Sequence, residues 1–145
     1  MTSVQFQQGG NAKNADVVLR ESEEGYRLVL ETARDYAIFV ADLEGRLETW
    51  PAGAETVFGW TADEAIGQHA RMTFTPEDRK AGVPEEEFGT ALREGLAPDV
   101  RWHMCKDGSR VFIEGSTRLV RDPAGRPRGC VASRGCEPWG PVAAF

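Results

Sequence analysis

The chain has no run of about 18 apolar residues, so nothing in it is expected to span a bilayer. Nor does an apolar stretch follow a basic start at the N-terminus, and no secretory signal is expected. Cysteine is scarce: Cys105, Cys130 and Cys136 are an odd number with no CxxC spacing. That excludes a disulfide framework and a structural zinc site, and makes reduced thiols in a cytoplasmic protein the expected state. Positive charge is in deficit, with 17 Lys and Arg against 23 Asp and Glu and a net charge of −6. Displacing phosphate counterions takes a basic face, so nucleic acid is not an expected partner.

Catalytic signatures are missing as well. No Gly-x-Ser-x-Gly elbow marks a nucleophile. Glu77-Asp78 and Glu85-Glu86-Glu87 stand at helix starts, where carboxylates suit the dipole and are expected to be solvated. No Asp or Glu is expected to stand isolated in an apolar strand context apart from Glu48 and Glu114, and both occupy alternating positions that should face water. The chain is not expected to be an enzyme.

What is present describes one soluble domain. A chain of 145 residues, 41% apolar and 28% charged, can build a single core without covalent staples. Residues 1–14 are polar and aperiodic, and read as a disordered tail. Over residues 15–34, Val18, Leu19, Ser22, Tyr26, Val29, Leu30 and Ala33 recur at spacings of three and four, the stripe of an amphipathic helix. Such a face suits self-association, although folding back onto the chain's own sheet is the competing reading.

Residues 35–135 form the core of the domain, and residues 136–145 an irregular tail blocked by Pro138 and Pro141. Tyr36–Asp42 and Arg46–Trp50 read as a hairpin around Leu43-Glu44-Gly45. Short helices follow: Ala52–Phe58, one opened by the capping-box spacing of Thr61 and Glu64, one opened by Thr75-Pro76, and Pro84–Glu94. Three strands complete the order, joined at Asp107-Gly108 and at Asp122-Pro123-Ala124-Gly125. Asp107-Gly108 is expected to take positive φ at both residues. In the third strand, Val100, Trp102 and Met104 alternate with Arg101, His103 and Cys105, and the pattern leaves open which set faces inward. The sum is an α+β domain with five antiparallel strands, its short helices lying between strands 2 and 3.

One ordered set of motifs runs through this core. It comprises Asp35-Tyr36-Ala37-Ile38-Phe39, Trp50-Pro51-Ala52-Gly53-Ala54-Glu55 and Phe58-Gly59-Trp60-Thr61. Ile66-Gly67-Gln68-His69, Phe74-Thr75-Pro76-Glu77-Asp78 and Lys106-Asp107-Gly108-Ser109 continue it. Together they resemble the PAS family of sensory domains. The resemblance implies a cavity under the central helices and a homodimer formed through the N-terminal helix. It also implies a sensory role in a bacterial signal-transduction protein, with a sensor histidine kinase or response regulator as partner. A ligand-free module for dimerisation and docking is the alternative.

The chain departs from the family pattern in three respects. Pro51 stands where relatives commonly carry Asn, and Arg134 is followed by Gly135-Cys136-Glu137, so the usual coupling Asp is missing. With no output segment following, a stand-alone or truncated PAS protein is expected.

The pocket is expected to be mostly apolar. Its candidate lining is Phe39, Val57, Phe58, Met72, Phe74, Phe88, Leu92, Trp102, Met104, Phe112 and Val131. No cofactor is assigned. The stretch Gly67-Gln68-His69-Ala70-Arg71-Met72, which corresponds to the flavin-adduct motif of LOV-type relatives, carries no cysteine, so adduct chemistry is not expected. Haem enters only through His69 or His103, because Pro84–Glu94 has no histidine; both are expected to be surface or cap residues. No metal site is expected.

Overall fold

The computed structural model describes residues 23–25, 27, 28 and 35–137. Residues 23–25, 27 and 28 are helical, whereas Val18, Leu19, Tyr26, Val29 and Leu30 of the expected dimer stripe lie outside the described residues. Four antiparallel strands form one sheet: β1 (Tyr36–Asp42), β2 (Leu96–Met104), β3 (Arg110–Arg121) and β4 (Pro127–Glu137), in the order β1-β4-β3-β2. The chain leaves one edge after β1 and returns on the far edge as β2. The helical segments fill that crossing over one face of the sheet. They are α1 (Ala52–Phe58), α2 (Ala62–Ala65), a 3-10 turn (Ala70–Thr73), α3 (Pro76–Lys80) and α4 (Val83–Glu94).

The expected fifth strand, Arg46–Trp50, is not formed. Only isolated bridges remain, Ala41 with Leu47 and Arg46 with His69. Part of a ladder survives, with Glu48 N–H donating to Val40 O at 2.7 Å, but a side chain and the loop after α2 take other bonds it would have used. Thr49 Oγ1 accepts from Val40 N–H at 2.9 Å, and Leu47 N–H turns away to the Gln68 carbonyl at 2.8 Å. The segment therefore ties β1 to the 3-10 turn and does not extend the sheet.

Three turns share one construction. Asp42 N–H donates to Arg46 O at 2.9 Å, Cys105 to Ser109 at 2.8 Å, and Asp122 to Arg126 at 2.8 Å. Gly45, Gly108 and Gly125 sit at φ of 84°, 87° and 86° in the fourth position of each. Asp107 does not share positive φ with Gly108, contrary to the two-residue turn expected there. The loop is one residue longer, a turn closed by a left-handed glycine, and Asp107 Oδ1 accepts from the Ser109 N–H at 2.9 Å.

Helix boundaries follow local chemistry. Thr61 and Glu64 form the expected capping box on α2, and Thr75 caps α3 with Pro76 behind it. Pro51 opens α1 without a side-chain cap, as its lack of a polar group requires. The core lies between helices and sheet: Phe39, Leu47, Trp50, Ala54, Val57, Phe58, Ala65, Ile113 and Ala132. Trp50 centres it, 5.1 Å from the Phe39 ring and 5.9 Å from Phe58, with its indole N–H donating to Trp60 O at 2.7 Å. A second cluster of Ala91, Ala97 and Cys130, flanked by Phe88 and Leu92, seats α4 on the sheet.

Candidate functional site

Helix α4 crosses the sheet with Pro84, Glu87 and Ala91 buried. These stand at i, i+3 and i+7, one helical face, so Glu87 is carried inward by the same stripe that packs the helix. Opposite it, β2 turns Ala97, Asp99 and His103 inward. Strand β3 supplies Thr117, and β4 supplies Cys130, Ala132 and Arg134. A small cavity of about 40 Å³ lies between α4 and the sheet. Phe39, Phe74, Phe88 and Ala132 form its apolar wall, Glu87, Thr117 and Arg134 its polar floor, and His69 and Arg71 also border it.

The floor belongs to a buried ionic network. Arg134 Nη2 donates to Glu87 Oε2 and Thr117 Oγ1, both at 3.0 Å, and lies 3.1 Å from Asp99 Oδ2. Thr117 donates to Glu87 Oε2 at 2.8 Å. Arg101 faces both acids, 3.5 Å from Glu87 and 3.3 Å from Asp99. His103 closes the network: Nε2 donates to Asp99 Oδ1 at 2.8 Å, while Nδ1 lies 3.0 Å from the Thr73 carbonyl oxygen. Burying such groups is costly unless each is paired; every charged group here faces an opposite charge, but Glu87 Oε1, Arg101 Nε and Arg134 Nε are left without a hydrogen-bond partner.

The two acids respond in opposite directions. Burial raises the Glu87 carboxyl to about 7; the positive charge of Arg134 opposes the rise and the neighbouring Asp99 adds to it. Burial also acts upward on Asp99, but the His103 hydrogen bond and the Arg134 charge outweigh it and hold that carboxyl at about 2. The folded chain therefore retains the Glu87 proton to about pH 7, whereas the unfolded chain releases it near 4.5. The resulting stabilisation is complete below pH 4.5 and is lost as pH rises through 7. Stability is expected to fall by on the order of 1–3 kcal/mol across that window, and Glu87→Gln to flatten the slope. Urea unfolding of both proteins at several pH values checks this; parallel slopes would refute it.

The structure divides the residues expected to line a pocket. Phe39, Phe74 and Phe88 border the cavity. Val57 and Phe58 are spent in the main core, Met72 packs against it, and Leu92 packs in the second cluster. Trp102, Met104, Phe112 and Val131 lie on the opposite face of the sheet. Trp102 is 43% exposed there, its ring edge-on to Phe112 at 5.3 Å. The register pairs His103 with Val111 and Trp102 with Phe112, so the inward position in β2 falls to the histidine.

His103 is accordingly a core residue and not a surface one, packed 4.7 Å from the Phe74 ring. With both ring nitrogens engaged, it is not placed to ligate haem iron. His69 does serve as a cap: its Nδ1 accepts from Arg71 N–H at 3.1 Å and its ring packs against Gly45. Burial, with Arg71 nearby, lowers its pKa and favours the neutral imidazole.

Three functional groups escape a reading by composition alone. Glu87 is buried although it ends an acidic run, and its spacing from Pro84 and Ala91 was the available signal. Asp99 sits in Leu96-Ala97-Pro98-Asp99-Val100, an acid in an apolar strand. Arg134, which enters the sequence reading only as the residue before Gly135-Cys136-Glu137, joins both acids.

Comparison with known proteins places this architecture. A family model described as PAS fold matches residues 24–133. Two-component system protein A of Emericella nidulans is 41% identical over 89 residues, 61% of this chain and 13% of that protein. Sensor protein FixL of Bradyrhizobium diazoefficiens is 36% identical over 67 residues, 46% of this chain and 13% of FixL. The chain thus spans about an eighth of the length of these curated relatives. Among solved structures, a PAS domain from Colwellia psychrerythraea superposes with a TM-score of 0.70 at 23% identity, covering 83% of this chain and 97% of that one. A domain of a sensory box sensor histidine kinase/response regulator from Geobacter sulfurreducens gives 0.66 at 20% identity, covering 81% and 96%. Among the described residues, no helix is long and apolar enough to cross a membrane.

Proposed function

This chain belongs to the PAS family, and on that premise we propose that it is the sensory module of a cytoplasmic signal-transduction protein. It binds a small molecule in the cavity between α4 and the sheet, and it signals by rearrangement of a homodimer to a kinase or response regulator. The observation that carries this reading is the cavity itself, with an apolar wall and a charged, buried floor. A few convergent polar groups in an apolar recess are what ligand sites generally offer. The two relatives named as two-component and sensor proteins support the signalling context.

Residues 15–34 are the dimer segment in this reading, supported by the apolar stripe that includes Tyr26 and Val29. The outer face of the sheet, where Val100 is 53% and Trp102 43% exposed, is the surface on which that segment of a second copy would pack. Tyr26→Asp with Val29→Asp is expected to convert the dimer to a monomer in light scattering; an unchanged mass refutes the assignment. Native mass spectrometry of freshly purified protein, with an ultraviolet-visible scan, tests the ligand. A bound mass is expected. An empty dimer that still engages its kinase would favour the ligand-free docking module, which the small size of the cavity supports.

A further inference from the structure

The guanidinium in the cavity floor is not fully used. Arg134 Nη1 donates to the carbonyl oxygens of Ser116 and Ser133, and Nη2 serves Glu87, Thr117 and Asp99. Its buried Nε–H has no hydrogen-bond acceptor, and Glu87 Oε1, 3.5 Å from Arg101 Nη2, has no hydrogen-bond donor. Both residues are more than nine-tenths buried and both border the cavity. At the rim stands a second cation, Arg71, half exposed and only 3.9 Å from its nearest acid, Glu85. Between the two cations the wall is phenyl and methyl.

We propose that the cavity is a binding site for a small monocarboxylate, which enters together with one proton. The carboxylate accepts from Arg134 Nε–H, its alkyl part lies against Phe39, Phe74 and Phe88, and the proton goes to Glu87. This inference rests on the sensory reading and names the ligand class for the same site.

Charge balance is the reason for the proton. Two guanidinium groups, Arg101 and Arg134, already face two carboxylates, Asp99 and Glu87. A third carboxylate at this depth is uncompensated unless one acid is neutralised. The groups around Glu87 decide which. From β2 come Asp99 and Arg101, with His103 bonded behind Asp99; from β3 comes Thr117; from β4 come Arg134 and Cys130. Asp99 is held ionised by His103 and Arg134, and Cys130 remains a thiol. Glu87, whose Oε1 accepts no hydrogen bond although Arg101 Nη2 stands 3.5 Å away, accepts the proton. Size sets the other limit. About 40 Å³ is well below the ~150 Å³ that holds benzene and gives roughly three water-sized positions, enough for an acid of about two or three carbons.

The test is a titration of the full chain with sodium propionate at pH 6 and pH 8, followed by amide NMR shifts, with sodium chloride matched for ionic strength. Propionate is expected to shift the amides of Phe39, Glu87, Thr117 and Arg134 saturably. For a proton acceptor near 7, binding is expected to be about tenfold tighter at pH 6 than at pH 8. Glu87→Gln, already neutral, is expected to bind propionate at both pH values with nearly equal Kd, its fold checked by the same spectrum. Equal wild-type affinity at the two pH values overturns the proposal. So does a pH dependence that survives in Glu87→Gln, the signature of uptake as the neutral acid. If 1-propanol shifts these amides and propionate does not, the carboxylate is wrong while the cavity stands as a ligand site. If neither shifts them, the sensory reading of the cavity falls with it.

Discussion

Replacing Asp99 with alanine is expected to cost about 3–5 kcal/mol of folding stability. The carboxylate is fully buried and accepts from His103 at 2.8 Å while facing Arg134 at 3.1 Å and Arg101 at 3.3 Å. Its removal leaves two guanidinium groups sharing one carboxyl, Glu87, and leaves His103 Nε2 without an acceptor. Glu87 should respond by ionising, because the acid that opposed its charge is gone. Loss of the pH slope expected between 4.5 and 7 would therefore accompany the loss of stability. Asp99 also contributes its own acid limit. With the folded carboxyl at about 2 and a usual value of 3.8, its stabilisation is complete above 3.8 and is lost as pH falls through 2. Guanidinium unfolding at neutral pH measures the main effect; a loss under 1 kcal/mol would mean that the network is not coupled as drawn.

A comparable loss, about 3–5 kcal/mol, is expected for Phe39→Ala. Phe39 is 1% exposed and contacts the Trp50 ring at 5.1 Å on one side and the cavity on the other. It also lies under the Arg134 guanidinium, 5.8 Å from ring centre to Cζ. Truncation joins the lost ring volume to the existing cavity, making a space that approaches what an aromatic ligand needs. Benzene should then raise the melting temperature of the variant and leave that of the parent unchanged. Lack of rescue, with a small stability loss, would place the cavity elsewhere.

Both effects arise from inward positions that the primary structure discloses unevenly. Phe39 is legible only as one of a continuous apolar run: Ala37, Phe39 and Ala41 turn inward, but Ile38 and Val40 on the other side are as apolar in the sequence. Glu87 is legible only to someone who weighs its spacing from Pro84 and Ala91 above the acidic run it ends. Asp99 and His103 are not legible at all from alternation, since Val100, Trp102 and Met104 form the more hydrophobic set in the same strand. A hydrophobic count puts that set inside. The register puts it outside.

Local chemistry, then, was enough for the order of the helices and of the four strands that form, the capping box, the places of the turns and the membership in a sensory family. These depend on contacts within a few residues or on motifs read in sequence, and they need no knowledge of what packs against them. Folding determined which face of β2 is buried, why residues 46–50 do not become a strand, and that acids from α4 and β2 share an arginine from β4. Those outcomes follow from pairing across 30 or more residues, as in Thr117 with Glu87, and from the shortage of partners for buried charge. Asp99 can turn inward only because Arg101, His103 and Arg134 meet it there, a condition no single segment of the chain contains.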